Sequence, residues 1–172
     1  MRSPAILKMT VAGMLAVAVL GAPAVIKAQG SDTVLKPADT QKLLPAGVFY
    51  RGQSAPTQLR NSGGVKFADG FYVLATLVDT SGYSTDLQTK YQAYFIAEVP
   101  IKVDGKSLAA GVYGVGFVGD KFLVTDVGGH DVLSVGSRED SELKRPTPMQ
   151  VVAGTAGSFR LYAGRKYVSF KR

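Results

Sequence analysis

From Gly47 onward the chain alternates between apolar and polar positions in short runs, and pairs of turn residues separate the runs. A period of two puts successive side chains on opposite faces of a strand, so this pattern predicts β-structure. Asp69-Gly70, Asp104-Gly105, Gly119-Asp120 and Gly128-Gly129 each lie between apolar runs. Such pairs supply the positive φ that tight hairpins need. Asn61-Ser62-Gly63-Gly64 and Ala163-Gly164-Arg165 read as slightly longer turns. The predicted strands are 47–51, 56–60, 64–68, 71–79, 89–103, 110–118, 121–127, 130–136, 148–154, 158–163 and 166–171. About 8–11 short strands joined by hairpins predict an all-β domain, an antiparallel β-barrel or β-sandwich. Helix is expected only as short pieces, one or two turns at 37–44 and a turn starting at each of the capping-box sequences Thr85-Asp86-Leu87-Gln88 and Ser137-Arg138-Glu139-Asp140.

Alternation also assigns faces. In 89–103, Tyr91, Ala93, Phe95, Ala97, Val99, Ile101 and Val103 are expected on one side. Pro100 interrupts this run and cannot donate to a ladder, so it predicts an edge, a bulge or a bend where the strand changes sheet. In 71–79 both faces are apolar, which fits a strand covered on both sides. In the closing hairpin, Phe159, Leu161, Val168 and Phe170 are expected inward, and Arg160, Tyr162, Tyr167 and Lys171 outward. Residues 79–86 and 137–148 are the two longest polar connections.

The amino terminus breaks the pattern. Arg2 and Lys8 precede an uncharged apolar run from Met9 to Ile26, and a small residue follows at Ala28. Positive start, apolar middle and small exit are the three parts of a secretory signal. Residues 1–28 are therefore read as a signal peptide cleaved after Ala28, with Ala24 as an alternative site. An uncleaved anchor is the rival reading, although the run is short of the ~20 residues a bilayer needs. Residues 29–46 form a polar lead-in that plugs one end of the domain through Leu43 and Leu44, and 47–172 form a single β domain. The expected location is outside the cytoplasm: periplasm, cell surface or medium.

Cysteine is absent, which removes disulfides, thiol catalysis and thiolate metal sites. Beyond Ala28 the chain has 17 basic and 13 acidic residues, net +4. Residues 138–172 alone hold 8 basic and 3 acidic residues, net +5. A one-ended positive field suits an anionic partner, here an anionic envelope component rather than nucleic acid. Arg160, Arg165, Lys166, Lys171 and Arg172 are the candidate docking residues. A solvated basic hairpin explains the same charges without a partner.

Candidate chemistry is sparse. Gly114-Val115-Gly116-Phe117-Val118-Gly119 matches a dinucleotide fingerprint as a string. That fingerprint needs a following helix, and a strand is expected there instead. Gly114 and Gly116 read better as clearing one strand face for an aromatic ring or a ligand. His130 is the only histidine; Asp126, Ser134 and Ser137 lie near it in sequence, which allows a hydrolase reading. No nucleophile elbow is present, and a turn histidine bonded locally is the simpler reading. Asp79, Ser81 and Asp86 lack the spacing of a calcium loop and read as turn residues. Glu98 is the best glycosidase carboxylate, but no partner for it is identifiable. No metal and no cofactor are expected. Tyr83 is the clearest exposed aromatic candidate.

Two stretches carry a resemblance. Gly105-Lys106-Ser107-Leu108-Ala109-Ala110-Gly111-Val112-Tyr113 resembles the Leu-x-Ala-Gly-x-Tyr hairpin of exported bacterial β domains of unknown function. Leu143-Lys144-Arg145-Pro146-Thr147-Pro148-Met149-Gln150-Val151, with the basic tail, resembles small uncharacterised exported proteins of soil bacteria. The resemblance implies an exported β domain and transfers no activity and no site residue. The leading expectation is a non-enzymatic binding module for a small apolar or amphiphilic ligand, at a barrel mouth or on the face cleared by Gly114 and Gly116, with Tyr83 and His130 as further candidates. Envelope docking comes second and a His130 hydrolase third.

Overall fold

In a computed structural model, residues 30–172 are described, so the export signal predicted over 1–28 lies outside the described residues. The strands are β1 (Thr33–Leu35), β2 (Gly47–Tyr50), β3 (Gln53–Lys66), β4 (Tyr72–Val78), β5 (Ala93–Ala97), β6 (Ile101–Val103) and β7 (Lys106–Leu108). They continue as β8 (Gly111–Val118), β9 (Lys121–Thr125), β10 (Asp131–Gly136), β11 (Arg138–Glu139), β12 (Gln150–Ala153), β13 (Phe159–Ala163) and β14 (Lys166–Lys171). Two short helices, α1 (Pro37–Thr40) and α2 (Thr85–Lys90), complete the elements.

All strand pairs are antiparallel, and the two sheets make a sandwich rather than a closed barrel. The first sheet runs β1-β3-β4-β5-β8-β9-β10, with β2 paired to β3. The second runs β12-β13-β14-β6-β7, with β11 paired to β14. Between them lies one core that includes Val73, Phe95, Val115 and Val124 from the first sheet and Leu108, Leu161, Val168 and Phe170 from the second. Edge-to-face rings bridge the layers: Phe67 meets Phe159 at 6.1 Å and Phe95 meets Phe170 at 6.4 Å.

The hairpin pairs adopt the expected backbone. Gly70, Gly105, Gly119, Gly129 and Gly164 all have positive φ. Pro100 stands where the chain leaves β5 in the first sheet and enters β6 in the second, as its missing donor predicts. The inward residues of the closing hairpin are buried as expected.

Other expectations are corrected. The predicted turn at 61–64 lies inside β3, which replaces two predicted strands with one strand of 14 residues. Its register jumps between Gln58 and Ser62, so Leu59, Arg60 and Asn61 bulge out of the ladder. The run 89–103 begins as helix α2, capped by Ser84, whose side chain accepts from Leu87 N–H. That helical end moves Tyr91 out of the main core and into a second cluster with Val48, Tyr50, Ala55, Val78 and Leu87. Ser137-Arg138-Glu139-Asp140 starts no helix; Arg138 and Glu139 pair with β14 instead. The lead-in supplies strand β1, paired with the end of β3, and buries Leu44 but leaves Leu43 exposed.

The Leu-x-Ala-Gly-x-Tyr stretch is a crossover and not a hairpin, because β7 lies in the second sheet and β8 in the first. The Tyr113 hydroxyl donates to the Ala109 carbonyl at 3.1 Å, in the manner of a tyrosine corner. A Cβ at Gly111 would lie 2.8 Å from that hydroxyl, which accounts for the glycine in the motif.

Candidate functional site

A sandwich of two open sheets has two seams, and each seam here holds a cleft. At one, β7 approaches β10 across a shallow opening of about 730 Å³ lined by Asp104, Lys106, Asp120, Lys121 and Arg138 among others. Three of its five charged residues are engaged locally. Lys106 Nζ donates to the Ser134 carbonyl at 2.9 Å, and Arg138 Nη2 to Asp104 Oδ1 at 2.7 Å. A lysine over the outward carbonyl of an edge strand is a device that discourages strand addition.

At the other seam, β12 faces β1 and β3. The groove there holds about 370 Å³ and is more apolar than polar. Val34, Leu35 and Pro37 form one wall, Arg60, Asn61 and Ser62 a second, and residues 147–151 the third. Gly63 closes the seam beneath it, since a Cβ at this position would lie 2.7 Å from the Val151 backbone nitrogen. Met149, 3% exposed, joins the groove to the main core.

The bulge that opens this groove is held from within. Ser62 Oγ donates to the Leu59 carbonyl across the bulge. The Ser62 hydroxyl also lies 2.6 Å from that of Thr40, a pair in which either oxygen can donate, and Thr40 Oγ1 reaches the Lys36 carbonyl of its own helix at 3.2 Å. Thr40 is 0% and Ser62 1% exposed, so α1 locks the bulge through a buried relay. Asn61 Nδ2 adds a bond to Gln58 Oε1 at 2.9 Å. Bulges of this kind re-aim side chains and cluster beside functional sites. Sequence reading passed over Lys36, Arg60, Ser62 and Met149. The signal was a lone serine amid small residues in a β stretch, which read equally as a turn.

The predicted site residues do not assemble into one place. The face cleared by Gly114 and Gly116 is filled by the protein itself: a Cβ at Gly114 would lie 1.9 Å from the Tyr91 ring, and one at Gly116 2.6 Å from the Thr89 carbonyl oxygen. Gly114 to Gly119 sits in β8 and the turn into β9, with no helix after it. Tyr83 is half-buried against the second cluster, and its hydroxyl donates to the Ser54 carbonyl. It latches the long loop to β3 rather than offering a free ring.

His130 sits in an exposed turn, its side chain 82% accessible. Asp126 accepts from the backbone N–H groups of Gly128 and His130 at 2.8 and 2.9 Å, and its Oδ2 lies 3.0 Å from His130 Nδ1. These bonds, the His130 backbone N–H first, hold the Asp126 carboxyl below the usual carboxylate range. Among the described residues no serine or threonine hydroxyl is hydrogen-bonded to the imidazole. Asp131 faces Lys90 at 3.7 Å. Asp79 accepts from Ser81 Oγ and N–H, which lowers its carboxyl, and Asp86 pairs with Lys90. Glu98 accepts from Tyr72 N–H. Among the described residues no three His, Cys, Asp or Glu side chains gather as a metal site.

The basic tail is mostly engaged. Arg160 lies 4.8 Å over the Tyr167 ring and 3.7 Å from Asp140. Arg165 donates to the Asp140 and Ser141 carbonyls, Lys166 to Gly119 and Arg172 to Asp69. Of the five docking candidates only Lys171 has no such bond among the described residues. Tyr162, expected outward, is 2% exposed, because the 137–148 connection covers it and Asp140 Oδ2 accepts its hydroxyl at 2.8 Å.

Comparisons with protein-family models, with curated proteins and with solved structures found no match.

Proposed function

We propose that this protein is a non-enzymatic binding module that takes a small amphiphilic molecule into the groove between β1, the β3 bulge and the 147–151 segment. The carrying observation is that groove: about 370 Å³, mainly apolar, at a sandwich seam held open by a bulge with its own buried clasp. Ligand sites are typically preformed concavities of ~300–1,000 Å³ with apolar walls and few polar groups. The amino-terminal charge and hydropathy pattern supports a protein exported from the cytoplasm. Docking on an anionic surface is the weaker reading, because most of the nominated cations already have partners within the chain. A His130 hydrolase has only the Asp126 pair in its favour.

The test is fluorescence of N-phenyl-1-naphthylamine, a neutral apolar probe, titrated with the purified protein. Gln150→Trp places a large ring in the groove wall. Wild type is expected to enhance the signal saturably, and Gln150→Trp to weaken binding about tenfold or more at an unchanged melting temperature. No enhancement, or equal enhancement by both proteins, would end the reading.

A further inference from the structure

Each neutral polar side chain of the groove already makes a hydrogen bond within the protein. Asn61 Nδ2 donates to Gln58, Ser62 to Leu59, Thr147 Oγ1 to the Met149 carbonyl at 3.1 Å and Gln150 Nε2 to the Arg145 carbonyl at 3.3 Å. Among the described residues Lys36 and Arg60 are the two polar lining side chains without a hydrogen bond or ion pair, and both residues are exposed. Arg138, Arg160 and Arg172 each lie within 4 Å of a carboxylate, whereas no such pair involves Lys36 or Arg60 among the described residues. Among the described residues no acidic side chain lines the groove. Arg60 is also the one exposed residue of the three-residue bulge, and it lines the groove.

From this charge balance we infer that the ligand is a single-chain carboxylate, its hydrocarbon lying on the apolar walls and its head meeting Arg60 and Lys36. The inference rests on the groove being the binding site, as proposed above. Arginine and lysine bind carboxylates by charge-assisted hydrogen bonds, and arginine does so bidentately. The volume limits the chain: 370 Å³ holds roughly a dozen groups at ~30 Å³ each. That suits one chain of medium length.

The experiment is titration calorimetry of the full purified protein at neutral pH with decanoate, 1-decanol and decyltrimethylammonium, each kept monomeric. Decanoate is expected to bind about tenfold or more tightly than decanol, with the cation weakest and with decanoate affinity falling as salt rises. Arg60→Gln should remove most of that preference and Lys36→Gln part of it, read as the ratio of decanoate to decanol affinity within each variant. Joint Arg60→Glu and Lys36→Glu should reverse the order in favour of the cation. Equal binding of decanoate and decanol overturns the inference but leaves the groove reading intact. Absence of binding by all three overturns both. A preference that survives in the Arg60→Gln, Lys36→Gln double variant places the head elsewhere and overturns the inference. Binding to phosphatidylglycerol vesicles that exceeds binding to decanoate overturns it in favour of a lipid surface.

Discussion

A methyl group at position 114 has no room, because it would lie 1.9 Å from the Tyr91 ring. Overpacking of this kind costs about 1–3 kcal/mol, and truncating a large buried aromatic about 3–5. Gly114→Ala is expected to destabilise by at least the lower figure, and Gly114→Ala with Tyr91→Ala by clearly less than the two single effects combined. Urea unfolding of the four proteins measures this cycle, and strict additivity would show that ring and glycine are not in contact. A second residue-scale prediction concerns Asp126. Its carboxyl is depressed first by a backbone N–H, so the carboxylate form stabilises the turn above the ordinary value near ~3.9 and loses that contribution as pH falls through the lower folded value. In His130→Ala the backbone donors remain, so the carboxyl should still titrate below the ordinary value by NMR. Titration at the ordinary value in that variant would mean that the imidazole, and not the main chain, holds the carboxylate.

Single elements are shaped by contacts across the chain more than by their own propensities. β3 is long enough to serve three neighbours because its bulge lets the first part pair with β2 and the last part with β1, while β4 spans both. The bulge depends on Ser62, whose hydroxyl links Thr40 to the Leu59 carbonyl. Ser62→Ala leaves the half-buried Leu59 carbonyl and the buried Thr40 hydroxyl without this partner. A buried polar group left unsatisfied costs about 1–3 kcal/mol. The variant should lose about that much stability and bind the naphthylamine probe less tightly, because the groove wall is no longer held. Unchanged probe affinity at reduced stability would mean that the clasp supports the fold but not the site.

The molecule as a whole is a sandwich whose chain passes repeatedly between layers: at Pro100 into β6, back at Gly111 into β8, and again between β10 and β11. Neither sheet can therefore complete itself without the other. Phe170 packs against Phe95 of the first sheet and Phe159 of its own. Phe170→Ala is expected to cost about 3–5 kcal/mol and to lower a single transition. Far-ultraviolet and tyrosine near-ultraviolet circular dichroism should trace coincident urea curves in both proteins; separate midpoints would show that the layers unfold independently.

The all-β class, the hairpin turns and the inward faces of the closing hairpin were legible in the residues alone. Each is set within a few positions: alternation at period two sorts side chains to faces, and glycine admits positive φ where a turn requires it. The same locality misled at 61–64 and 137–140, where short polar stretches match a turn or a cap until a distant strand claims them. Tertiary structure decided the rest. It supplied the partner of β1, turned Tyr91 into the second cluster, tied Tyr83 to Ser54, and spent most of the basic tail on partners such as Asp140 and Asp69. The groove exists only because residues 34–37, 60–62 and 147–151, far apart along the chain, meet at one seam. No local pattern encodes such a meeting, since it depends on how two twisted sheets close on each other and on which polar groups are buried when they do.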